Sequence, residues 1–210
     1  MIKKIVLTGG PSAGKSSSLE FIHRYYSNLG YKVYIVNETA TDLMNSGIIP
    51  NQNNLSVVEF EEIIFKYQLF KENLIVNIVN NNNFLNNIII FDRGVVDNKA
   101  FINDEEFEMI LKKYNYNENE LLSRYDLVIH LETGAKSNYY RTDNNSCRRE
   151  SVDLAIKLDN LIYKAWSNHN NLVKIKCYDN FYDKQNEIIS AINKELNIKK
   201  LERVMLWIYL

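Results

Sequence analysis

"KIVLTGGPSAGKSS", residues 4–17, decides how the rest of the chain is read. Residues 4–8 carry a strand pattern, and "GGPSAGKSS" (9–17) breaks it with small residues and a lysine. Gly9, Gly14, Lys15 and Ser16 satisfy G-x-x-x-x-G-K-[ST] without a mismatch, ahead of a helical pattern. Small residues let the backbone curl until successive N–H groups point inward at phosphate oxygens. A helix starting near Lys15 adds the positive end of its dipole. On this reading Gly9, Gly10, Pro11, Ser12, Ala13, Gly14, Lys15, Ser16 and Ser17 wrap a nucleoside triphosphate, ATP or alternatively GTP. Lys15 reaches the β and γ phosphates, and the Ser16 hydroxyl binds Mg²⁺. A tight strand-to-helix turn would need the glycines for shape alone, but it would need neither the lysine nor the serine.

Working outward, apolar runs of strand length alternate with helical patterns, as in stacked βαβ units. "KIVLT" (4–8), "KVYIV" (32–36), "NIIIFD" (87–92), "DLVIHL" (126–131) and "LVKIKC" (172–177) are the candidate strands. Their near-continuous apolar character fits a parallel sheet covered on both faces. Leu19, Ile22, Tyr26 and Leu29 keep helical spacing after the loop. Phe60, Ile63, Tyr67, Phe70, Leu74 and Ile78 mark a long helix before the third strand. Leu154, Leu158, Leu161 and Ala165 mark another, and Ile188, Ile189 and Ile192 a last one. The expected fold class is α/β: a three-layer sandwich with a five-stranded parallel sheet and helices on both faces. A single domain spans 1–210, with a core at about 2–195. The apolar ending "LERVMLWIYL" suggests a C-terminal helix over 196–210, docked on the core or on a second copy, so a homodimer stays open.

The 210 residues suit one domain, and 46% hydrophobic with 24% charged residues is ordinary for a globular chain. A net charge of −1 offers no general attraction for nucleic acid, so none is expected as a partner. Cys147 and Cys177 have no CxxC spacing, which argues against a disulfide framework or a zinc site. No apolar run approaches the roughly 20 residues of a membrane span. A strand pattern from Ile2 leaves no room for a signal peptide. The expected setting is cytoplasmic.

The loop needs a carboxylate near its metal, normally at the end of another buried strand. Asp92 in "NIIIFDRG" meets that need, holding Mg²⁺ or orienting an acceptor, although an aspartate there could also cap the next helix. Arg93 beside it could contact a phosphate or substrate, or pair with a carboxylate. Glu38 in "VNETA" falls past the second strand, at the edge where α/β ligands sit, and could take the proton of an attacking hydroxyl. Gln68 and Glu72, four apart, could present hydrogen-bonding groups to a substrate or to solvent. Arg141, Arg148 and Arg149 gather in a polar stretch that could close over the transferred phosphoryl group or stay a surface cluster. Asn98 and Lys99 are followed by Ala100 and Phe101, so the N-K-x-D reading of guanine is missing its aspartate. His130 reads as a packed or hydrogen-bonded histidine.

"IVLTGGPSAGKSS", "VNETAT", "FDRGVVDNKAF", "YDLVIHL" and "CRRE", in that order over roughly residues 2–195, resemble the NadR/TRPL-translocation-defect-like family of P-loop domains. These are relatives of nicotinamide riboside and deoxynucleoside kinases, often filed as AAA-type ATPase domains. The resemblance implies strand order 2-3-1-4-5, Glu38 and Asp92 flanking the acceptor, and Arg148 and Arg149 serving a lid. The arginine that NadR-type kinases carry after the second-strand glutamate is absent, because Thr39, Ala40 and Thr41 stand there. Two functions are open on this reading. One is a kinase passing the γ-phosphoryl of MgATP to a nucleoside-like small molecule, with Lys15, Glu38, Asp92, Arg148 and Arg149 as its machinery. The other is a nucleotide-binding regulatory or trafficking switch with slow or no hydrolysis.

Overall fold

The structure is a computed structural model and describes residues 2–52, 54–136 and 151–198. Arg141, Cys147, Arg148 and Arg149, and the apolar ending from residue 199, lie outside the described residues. Five strands, β1 (Ile2–Gly9), β2 (Lys32–Val36), β3 (Asn87–Asp92), β4 (Leu127–Leu131) and β5 (Leu172–Ile175), form one parallel sheet in the order 2-3-1-4-5. β3 and β4 are buried at every position, in keeping with their largely apolar sequences. The register pairs Leu7 with Asp92, and Gly9 with Leu131. The phosphate loop therefore leaves the sheet between the ends of β3 and β4, with Asp92 at its side.

α1 (Lys15–Asn28) and α7 (Phe181–Glu195) cover one face. There Ile22, Tyr26, Ile188 and Ile192 pack on Ile5, Leu7 and Ile129. α3 (Val57–Asn80), α4 (Asp104–Lys113), α5 (Glu118–Leu122) and α6 (Val152–Ala165) cover the other, together with a 3-10 turn at Val95–Ala100. Trp166 is completely buried there beside Val6, Phe91 and Ile162. The short α2 (Thr39–Asn45) follows β2 at the sheet's edge.

Two helices turn differently from expectation. α3 exists where its spacing places it, but Tyr67, Phe70, Leu74 and Ile78 are exposed. The buried face carries Phe60, Glu61, Ile64, Phe65, Gln68, Leu69 and Glu72 instead. α3 is apolar on more than one side, so two stripes compete for the core, and the one with polar residues faces inward, where Gln68 and Glu72 find partners. α6 behaves alike: Leu154 and Leu161 are exposed, while Ala155, Asp159, Ile162 and Ala165 face inward.

Helix starts are marked by capping. Ser56 with Glu59, Asn103 with Glu106, and Asn117 with Glu120 form capping boxes, each cap worth about 1 kcal/mol. Ser151 and Asn180 cap α6 and α7. α1 and α2 have no side-chain cap. Those two open at the sheet's carboxyl edge, where α1 keeps its first N–H groups for another partner.

Candidate functional site

The loop after β1 is held from behind. Gly9 has φ 145°, and a Cβ there would stand 2.1 Å from the Leu131 carbonyl oxygen, so no larger residue fits. Gly14 has φ 78° and turns the chain into α1. Thr133 Oγ1 donates to the Pro11 carbonyl at 2.5 Å, and the ammonium of Lys184 on α7 donates to the Ala13 carbonyl. A trans peptide carries its N–H opposite its carbonyl. Tying these carbonyls outward turns the N–H groups of Ser12 and Gly14 toward the hollow of the loop, as a phosphate cradle requires.

A second support comes from Asp159 on α6. Its Oδ1 accepts from the Gly10 N–H at 3.1 Å and the Thr133 N–H at 3.0 Å, and lies 3.1 Å from His130 Nε2. Its Oδ2 pairs with Lys136 at 3.3 Å. A Cβ on Gly10 would meet the Asp159 side chain at 2.8 Å, which explains the second glycine of the pair. His130 is thus the buried, hydrogen-bonded histidine expected, set edge-on against Tyr163. Nothing in the local sequence singles out Asp159 or Lys184. Each lies far along the chain from the loop, within a helix whose spacing reads as ordinary.

In front of the loop stand the charges. Lys15 is buried, with its ammonium 3.5 Å from the Gly9 carbonyl. Burial, aided by Arg93, pulls it down to about 8 against the pull of Glu38, Asp92 and Asp97. Arg93, at φ 67°, donates from Nε to Glu38, and its Nη1 stands 3.5 Å from Asp97 as an ion pair without a hydrogen bond. Burial works against Glu38 ionising, but Arg93 and Lys15 outweigh it and hold the carboxyl at about 2. Asp92 is the opposite case: burial, with Glu38 and Asp97 nearby, pushes it up to about 6 despite Lys15 and Arg93. Its Oδ1 is buried without a hydrogen-bond partner. Asp97 is itself fixed by Thr8 Oγ1 and by the Gly94 N–H at 2.8 Å.

Lys15, Glu38, Asp92 and Arg93 therefore lie within electrostatic reach of one another. Ser16 and Ser17 open α1 on the exposed side of the loop. Gln68 is nearly fully buried, and both its amide hydrogens are engaged, by Glu72 Oε1 at 2.9 Å and the Arg93 carbonyl at 3.2 Å. Its Oε1 accepts from Thr39. Gln68 thus fixes the strained Arg93 backbone from behind. Glu72 is covered in turn by Arg124 and Tyr125, whose hydroxyl also accepts from the Val95 N–H. Asn98 and Lys99 are structural: Asn98 bonds the Glu61 carbonyl at 2.7 Å and Lys99 pairs with Glu118 at 2.7 Å.

Among the described residues no cluster of three or more His, Cys, Asp or Glu side chains could hold a metal unaided. Mg²⁺ is characteristically bound by one or two carboxylates plus substrate phosphates. The unpartnered Asp92 Oδ1 and the Ser16 hydroxyl fit that manner of binding. Among the described residues, no helix is long and apolar enough to cross a membrane.

The lowered Lys15 gives a testable linkage. Phosphate favours its protonated form, so binding raises its pKa. Affinity for MgATP should hold steady between about pH 6, above which Asp92 is ionised, and pH 8, and fall above pH 8 by about tenfold per unit, with a proton taken up on binding there. Lys15→Ala should remove this dependence and cost on the order of 1.5–3 kcal/mol of binding. Calorimetry in buffers of different ionisation enthalpy reads both; unchanged affinity in the variant would exclude this loop as the phosphate site.

A family model described as an AAA domain matches residues 4–177. No curated protein matches the chain. Two solved structures of NadR protein share its fold at 14% identity. The complex with NAD and AMP-PNP superposes with a TM-score of 0.64 over 96% of this chain and 51% of that one. The complex with NR gives 0.69 over 96% and 53%. The chain thus spans about half the length of these NadR proteins. Its match over most of its length, its sheet order and its phosphate loop agree: the chain belongs to the AAA-domain family of P-loop proteins and has a NadR-like fold.

Proposed function

We propose that this protein is a small-molecule kinase, transferring the γ-phosphoryl group of MgATP to a hydroxyl of a nucleoside-like acceptor. The observation that carries this reading is the group in front of the loop. Glu38, Asp92 and Arg93 converge on Lys15, and both Asp92 Oδ1 and Arg93 Nη1 are buried there without a hydrogen-bond partner. A loop that only held nucleotide would need Lys15 and one carboxylate. It would not need a second carboxylate paired with a buried arginine.

Each residue has a chemical task. Lys15 neutralises charge on the phosphates. Ser16 and Asp92 would hold Mg²⁺, which supplies further neutralisation when bound. Glu38, ionised at any physiological pH, accepts a hydrogen bond from the acceptor hydroxyl and orients its oxygen in line with the γ-phosphorus. As the new P–O bond forms and the bond to ADP breaks, the hydroxyl proton passes toward Glu38 and on to water. A base held near 2 is weak, which suits a loose transition state in which the proton leaves late. Arg93, whose Nη1 has no hydrogen bond in the resting site, would donate to the phosphoryl oxygen or to the acceptor. The arginines at 141, 148 and 149 remain part of this proposal as a lid, and the cytoplasm is the setting it implies.

The NadR structures pair this fold with a nucleotide analogue and with NR, which supports an acceptor of that general kind. The deciding experiment is a screen of nucleosides and related vitamins with MgATP, nicotinamide riboside included, following ADP release. Stimulation by one compound is the expected result. A flat panel beside tight nucleotide binding would favour the regulatory switch.

A further inference from the structure

Glu38 follows β2 and Arg93 follows β3, so their pairing depends on what holds both strand ends. α3 does so. Gln68 accepts from the hydroxyl of Thr39, the residue after Glu38, and donates to the Arg93 carbonyl at 3.2 Å. Three residues on, Lys71 donates to the carbonyl of Asn37, the residue before Glu38, at 2.6 Å and to Asp42 at 2.7 Å. Both chain neighbours of Glu38 are thus tied to one helix. The Arg93 side is held as closely. Arg93 stands at φ 67°, a conformation that a non-glycine residue keeps only where its surroundings impose it. Its N–H donates to the Leu7 carbonyl at 3.1 Å, and its carbonyl takes the Gln68 amide. Two residues on, the Val95 N–H donates to Tyr125 at 2.9 Å, whose hydroxyl donates to Glu72 at 2.8 Å. Glu72 closes the ring by accepting the other Gln68 amide hydrogen at 2.9 Å. Gln68 is 2% exposed, and only an amide suits its place. A carboxylate there would face Glu72, and an apolar side chain would leave Thr39, Glu72 and the Arg93 carbonyl each short of a partner.

We infer that Gln68 is a positioning residue for phosphoryl transfer: it sets where the Glu38 carboxylate and the Arg93 guanidinium stand relative to each other, and acts on the substrate only through them. This rests on the kinase reading above and adds the residue that keeps its acceptor-side pair in register. The Glu38–Arg93 bond cannot do this alone, because two long side chains can pair in several geometries. With Thr39 and the Arg93 carbonyl held by one amide, and Glu38 Oε2 held by Thr41 at 2.6 Å, a single geometry remains. A base that must meet one hydroxyl gains from such fixing, since small misplacements are costly in rate.

The test uses the full chain, MgATP and the compound turned over best in the nucleoside screen, with the variants Thr39→Val, Thr39→Ser and Gln68→Met. Thr39→Val keeps the shape of its side chain and removes one bond of the network. It should lower kcat about tenfold, with MgATP affinity and the acceptor KM near wild type. Thr39→Ser, which keeps the hydroxyl, should recover most of that loss. Gln68→Met frees both ends and should lower kcat further; if it does not fold, the Thr39 pair decides. In a Glu38→Gln background, Thr39→Val should cost less than about twofold more, because the group it places is already gone. An unchanged kcat in Thr39→Val, no recovery in Thr39→Ser, or the same loss in both backgrounds would overturn the assignment. If the wild type turns over nothing, the kinase reading fails by itself, and the NMR signal of the Arg93 Nε–H, identified by its loss in Arg93→Lys, then judges Gln68. In Thr39→Val that signal should shift and exchange faster with water, and Thr39→Ser should restore it. An unchanged signal in Thr39→Val would overturn the positioning role.

Discussion

Asp92→Asn should cut Mg²⁺-supported turnover by orders of magnitude while leaving the protein folded. Metal neutralisation of transferring phosphate is worth several kcal/mol, so a loss of about 3–5 kcal/mol, roughly 10²–10⁴-fold in rate, is expected. The fold should not suffer. Asp92 Oδ1 has no hydrogen bond to lose, and burial beside Glu38 and Asp97 already opposes its charge. Melting temperature should therefore hold or rise. The pH profile gives the sharper test. In the wild type, activity needs ionised Asp92 and protonated Lys15, giving a bell with limbs near 6 and 8. The variant should lose the acid limb. Its alkaline limb should move down, because the Asp92 charge helps to hold the Lys15 proton. Normal turnover with Mg²⁺ in this variant would make Asp92 a structural residue and require another metal partner.

The parts of the site that are legible in the sequence are those at strand ends. Each β-strand of this sheet is a short apolar run, and the residues just beyond its carboxyl edge are free of the core's demands, so "GGPSAGKSS", Glu38, Asp92 and Arg93 stand out. The residues that hold these in place are hidden in helices. Gln68 and Glu72 lie on the buried face of α3, but Phe70, Leu74 and Ile78 make a cleaner apolar stripe on the exposed one. Periodicity assumes that the core-facing side is the more apolar, and that assumption fails where a helix backs a polar site. Asp159 illustrates the same limit. It occupies a core position of α6 because four groups converge on its two oxygens, and three of them lie at Gly10, His130 and Thr133, remote in sequence. Spacing correctly makes Gln68 and Glu72 neighbours on one face, yet their partners Thr39, Arg93, Arg124 and Tyr125 turn them inward. Long-range hydrogen bonding decides such positions, and no local pattern records it.

Glu38→Gln separates moving a phosphoryl group from holding one. The substitution keeps the size of the side chain and its bond to Arg93 through the amide oxygen, but it removes the charge and one acceptor site. Transfer should slow by roughly 10²–10³-fold, toward the lower part of the range for a positioned base, because a group held near 2 gains little from taking the proton early. MgATP affinity should stay nearly intact at any pH where Lys15 keeps its proton, since Glu38 makes no hydrogen bond to the loop. The pH profile should move as a whole. The Glu38 charge raises both Asp92 and Lys15, so its removal lets Asp92 ionise at lower pH and lets Lys15 lose its proton at lower pH. Both limbs of the bell therefore shift toward acid. Loss of a purely geometric contact would lower the rate without moving either limb. A residue that only steadied Arg93 in a nucleotide-holding protein would change no transfer rate at all. A slower enzyme with an acid-shifted bell is the outcome that an ionised Glu38 beside the reacting hydroxyl requires; normal kinetics in the variant would remove it from the reaction.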